Sequence, residues 1–106
     1  MSELMLVYSL FPSAGEAHDA CRTLLDERLI ACANRLSPAV SYFHWDGKTD
    51  TTEEHPVIFK TTADKVPAVI ARIVALHRYK VPAVVAFPAS AAHPPFAAWV
   101  AEQVIP

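Results

Sequence analysis

Ala39-Val40-Ser41-Tyr42-Phe43-His44-Trp45-Asp46-Gly47-Lys48-Thr49 decides the fold of this chain. Asp46-Gly47 is a strong two-residue hairpin turn, because both central positions of the favoured turn need positive φ. Before it, Val40, Tyr42 and His44 share one face of an extended strand, and Ser41, Phe43 and Trp45 share the other. Aromatics on both faces mean that neither face is plainly solvated. The incoming strand extends back to Cys32, with a bulge or bend expected at Pro38. The outgoing strand runs from about Thr49 to Thr62, with Val57, Ile58 and Phe59 as its apolar centre. Both are about twice the usual five or six residues. A ribbon of that length must pack on something, and a small domain cannot cover its far end.

Working outward, Leu4 to Leu10 is a continuous apolar run suited to a central strand buried on both faces. Phe11-Pro12 ends it. Ser13 with Glu16 forms a capping box, and Ala17, Ala20, Cys21, Leu24 and Leu25 give helical spacing that fades near Arg28 or Leu29. On the other side a second helix begins near Asp64, with Pro67 in its first turn. Its buried stripe is Val66, Val69, Ile70, Ile73 and Val74, and His77 closes it where a cation is favoured. Val81 to Phe87 reads as a further strand. Pro94 and Pro95 open a last helix with Phe96, Trp99, Val100, Gln103 and Val104 on one face. The order is strand, helix, strand, strand, helix, strand, helix. Two strand–helix–strand halves joined by a hairpin predict an α+β, ferredoxin-like βαββαβ sandwich with a long central hairpin and a C-terminal helix.

The chain's 106 residues fit one domain, residues 1–106. Its apolar fraction of 53% includes 18 alanines, and the remainder still suffices for a core. Charged residues are only 19%, below the roughly 25% of an average domain, so part of the surface is expected to be hidden against another subunit. A net charge of −2 gives no electrostatic footprint for nucleic acid. Two glycines, Gly15 and Gly47, cannot write a phosphate loop or dinucleotide fingerprint. No apolar run reaches about 18 residues, so no membrane span is expected. Met1-Ser2-Glu3 lacks the basic start of a signal peptide. Two cysteines are too few for a disulfide scaffold and suggest a reducing, cytoplasmic setting.

The chemistry-bearing residues form no recognised set. The histidines His18, His44, His55, His77 and His93 match no metal-binding spacing. His18, His55 and His93 read as surface residues, and His44 as packing or interface. Cys21 and Cys32 lie among apolar neighbours and read as buried, inert thiols. The serines have no signalled base. Asp26-Glu27 and Glu53-Glu54 read as solvated faces rather than catalytic dyads. No enzyme emerges from these residues.

At the hairpin the pattern becomes specific. Tyr42-Phe43-His44-Trp45-Asp46-Gly47-Lys48 followed by Phe59-Lys60-Thr61-Thr62 resembles the CutA family of divalent-cation tolerance proteins. Glu27-Arg28-Leu29-Ile30-Ala31-Cys32-Ala33-Asn34 resembles the family's stretch between first helix and second strand. His77-Arg78-Tyr79-Lys80-Val81-Pro82 resembles its His-Pro-Tyr-x-x-Pro segment, and Trp99 falls where the family has a terminal-helix tryptophan. The likeness covers nearly the whole chain.

The resemblance implies a non-enzymatic homotrimer in which neighbouring hairpins pair, as in PII-type signalling proteins. Such closure removes exposed sheet edges. Tyr42, Phe43 and Trp45 are then the candidates for the subunit contact, the alternative being that they serve the monomer's own core. The resemblance also implies a metal site built from a cysteine ending the first strand, the histidine at His77 and a nearby acid. Here the cysteine position is Ser9, the segment's usual proline is Arg78, and the glutamate that commonly follows its last proline is Ala83. Losing a thiolate and a carboxylate, and gaining a cation, weakens a site for copper(II) or a softer ion. The expectation is no required cofactor and weak binding of copper(II) or another divalent cation. A second reading is a PII-like small-molecule sensor. Lys48, Lys60, Thr61, Thr62 and Tyr79 would line a cleft between subunits and offer donors to a small anion. Against it, Lys60 pairs with a carboxylate and the threonines cap the second helix.

Overall fold

The computed structural model describes residues 3–106; Met1 and Ser2, which the reading of the N-terminus used, lie outside the described residues. Strand β1 (Leu4–Phe11) leads into helix α1 (Ala14–Asp26). Ser13 caps α1: its Oγ accepts from the Glu16 N–H at 3.1 Å, and its hydroxyl donates to Glu16 Oε2 at 2.7 Å. The helix ends as the capping rules require, with a residue in the left-handed region. Arg28 takes φ 57°, and the N–H groups of Arg28 and Leu29 return to the carbonyls of Leu25 and Leu24.

Pro38 divides the second extended segment as expected. β2 (Cys32–Arg35) stops before it and β3 (Ala39–Trp45) resumes after it. Asp46 and Gly47 turn the chain with φ of 53° and 74°, both positive. β4 then runs unbroken over Lys48–Thr62, 15 residues. Its outer half pairs with β3 from Trp45↔Lys48 to Ala39↔Glu54, forming an arm. Its inner half is shared between β2 and β1, with Phe59 opposite both Ala33 and Val7.

After a single 3₁₀ turn (Ala63–Lys65) comes α2 (Val66–Leu76), then β5 (Val84–Pro88) and α3 (Pro94–Gln103). The sheet order is β2-β4-β1-β5, all neighbours antiparallel. Helices α1 and α2 pack on the sheet and on each other, while α3 packs on β1 and β4. This is the ferredoxin-like α+β fold anticipated from the element order. Val7, Phe11, Leu24, Ile30, Val57, Phe59, Val69 and Ile73 form its core, with Phe11 and Phe59 edge-to-face at 6.4 Å.

Three details depart from the reading of the sequence. Val74, assigned to the buried stripe of α2, is exposed; Val69 and Ile73 alone are buried in that helix. β5 begins at Val84 rather than Val81, because the two residues around Pro82 are irregular and Val81 is 71% exposed. Glu54 is buried rather than solvated.

Candidate functional site

The long hairpin places its aromatic residues outside the body. Tyr42 is 80% exposed and Trp45 63% exposed, with Phe43 also at the surface. They therefore contribute nothing to a core of the single chain, and the alternative role given to them above is removed. Tyr42, Phe43 and His44 line a concavity of about 510 Å³ on the arm together with Thr49, Asp50 and Thr51. Apolar exposure continues on the body: Val85 and Phe87 of β5 are exposed, paired opposite Tyr8 and Leu6 of β1. Trp99 of α3 is partly exposed and stacks on Phe96 at 6.0 Å.

At the base of the arm lies the segment joining α2 to β5, residues 77–83, and the structure concentrates polar contacts there. The N–H of Tyr79 donates to His77 Nδ1 at 3.1 Å, so that nitrogen is an acceptor. The ring proton is then on Nε2, which donates to the carbonyl of Leu10 at 2.6 Å. The ring stacks on Phe11 at 4.9 Å and lies 4.8 Å from Tyr79. His77 thus ends α2, but its ring points back to β1 instead of serving as a free cation at the helix terminus.

Arg78 reaches Glu16 in a two-pronged contact of 3.1 and 2.5 Å. Arg78 first, and the Ser13 hydroxyl second, pull the Glu16 carboxyl down to a pKa of about 2. Burial first, and the negative charge of Glu54 second, push the Tyr79 phenol above its ordinary value. Ser9 is fully buried and donates to the carbonyl of Ala83 at 2.8 Å. Ser9, His77 and Ala83, the three positions of the implied metal site, are therefore all close to one segment. Each has its polar group engaged by protein. Among the described residues no three His, Cys, Asp or Glu side chains converge.

The proposed cleft residues are dispersed within one copy. Lys48 stands at the tip of the arm, twelve positions along β4 from Lys60, or roughly 40 Å of strand. Lys60 donates to the side-chain oxygen of Asn34, not to a carboxylate. Thr61 is buried and donates to the carbonyl of Leu29 at 2.7 Å. Thr62 donates to Asp64 at 2.6 Å, bracing the 3₁₀ turn ahead of α2. Cys21 and Cys32 are free and half-buried, and desolvation raises both thiols above their ordinary pKa. Sequence reasoning did not find the Glu16–Arg78 pair. The one available signal was the surplus cation at Arg78.

Comparison with known proteins agrees with this arrangement throughout the chain. The family model of the CutA1 divalent ion tolerance protein matches residues 5–103. The divalent-cation tolerance protein CutA of Pyrococcus horikoshii is 35% identical over 94% of this chain and 97% of its own length. The crystal structure of CutA from Xylella fastidiosa superposes with a TM-score of 0.94 at 36% identity, covering 98% of this chain and 100% of that one. The structure described as the periplasmic divalent cation tolerance protein CutA of Archaeoglobus fulgidus gives 0.93 at 32% identity over 96% and 99%. Among the described residues no helix is long and apolar enough to cross a membrane. With the arm, the strand order and the matched span all in agreement, the chain belongs to the CutA1 divalent ion tolerance family.

Proposed function

We propose that this chain works as a non-catalytic homotrimer in the cytoplasm, contributing to divalent-cation tolerance while holding copper(II) or another divalent ion only weakly. The observation that carries the assembly is the arm. One copy leaves Tyr42 and Trp45 in water, and a closed ring of copies would cover them. The weakness of metal binding follows from donor chemistry. A serine hydroxyl replaces the thiolate at Ser9, and Arg78 adds a positive charge beside His77. The half-buried free thiols suit a reducing compartment.

Calorimetric titration of tag-free protein with copper(II) tests the metal reading. The expected result is a shallow, non-saturating heat. A tight site, lost in His77→Ala, overturns it.

A further inference from the structure

We infer that the side chains around residues 77–83 form a closed latch in which the Arg78 guanidinium occupies the electrostatic role of a metal ion. The inference deepens the reading of weak metal binding and rests on it for its functional meaning.

Three contacts tie the segment to two different elements. His77 Nε2 donates to Leu10 and Ser9 donates to Ala83, both from β1. Arg78 grips Glu16 at the start of α1. A divalent ion at His77 needs a ring lone pair, and the only one accepts the Tyr79 N–H. The acid that Arg78 grips, Glu16, is already neutralised by a two-pronged guanidinium with a serine hydroxyl on the same oxygen. An ion would have to break a hydrogen bond to gain each ligand. The residues present therefore fit a protein-only network and do not fit a resident metal.

The test uses the full chain in two measurements. First, zinc(II) is titrated while the ring nitrogens of all five histidines are followed by NMR. The expected result is a His77 pattern with the proton on Nε2 that does not move before those of the exposed histidines. A His77 shift that leads the others overturns the inference. Second, amide hydrogen exchange is compared in wild type and Arg78→Gln. Exchange of the Tyr79 amide, which donates to His77 Nδ1, is expected to rise about tenfold or more in the variant, with core strand β1 unchanged. Exchange equal to wild type at this amide refutes the latch. Native mass, measured on the same samples, reports separately on the trimer, so a failure of assembly is not mistaken for a failure of the latch.

Discussion

Replacing Trp45 with alanine separates the stability of one copy from the association of several. The side chain lies at the arm tip with 63% of its surface exposed. An aromatic side chain of this size offers roughly 200 Å², so about 125 Å² stands in water in the single chain. At about 25 cal/mol per Å², covering it fully in an assembly contributes about 3 kcal/mol per copy, or about 9 kcal/mol for three copies. The same residue makes no contribution to the core, so its loss should alter the fold of a copy by no more than the ~0.5 kcal/mol typical of surface changes. Trp45→Ala is therefore expected to keep its far-ultraviolet circular dichroism spectrum while its multimer dissociates at far higher protein concentration than wild type. Light scattering over a dilution series from high to low micromolar measures this. Equal native mass for variant and wild type across the series refutes the role given to the arm. Loss of the spectrum refutes the claim that Trp45 lies outside the core.

Further outcomes follow from individual contacts. Glu16 has its carboxyl lowered from 4.5 to about 2; its contribution to stability is fully present above about pH 4.5 and is lost as pH falls toward 2. Glu16→Gln should accordingly be less stable than wild type at neutral pH, with the difference shrinking through that acid window in denaturation experiments. Thr61→Val leaves the Leu29 carbonyl without its buried donor and should cost about 1–3 kcal/mol in chemical denaturation, more than Thr51→Val on the exposed arm. Cys21 and Cys32 have raised thiol pKa values through burial. They should react with iodoacetamide at pH 8 well below the rate of a free cysteine, and at the free rate after unfolding.

Much of the architecture was legible because it is encoded locally. Asp46-Gly47 announced the hairpin, Pro38 its break, and Ser13 with Glu16 the start of α1, and each feature depends on residues at most a few positions apart. The apolar run of β1 revealed a central strand, which the sheet order bears out. What escaped is non-local. Glu54 beside Glu53 looks solvated, yet the pairing of β4 with β3 leaves it buried opposite Ala39. Val74 keeps helical spacing, yet the stripe that packs on the sheet narrows to Val69 and Ile73. His77 was placed correctly at the end of α2, but its ring is oriented by Leu10, Phe11 and Tyr79, a combination that no spacing rule contains.

Copies of this chain are expected to cover one another's arms. Native mass by light scattering on the purified wild-type chain, at low micromolar concentration, addresses that directly. Three times the mass of 11.6 kDa is the expected result. A folded, stable species of a single chain's mass would contradict it.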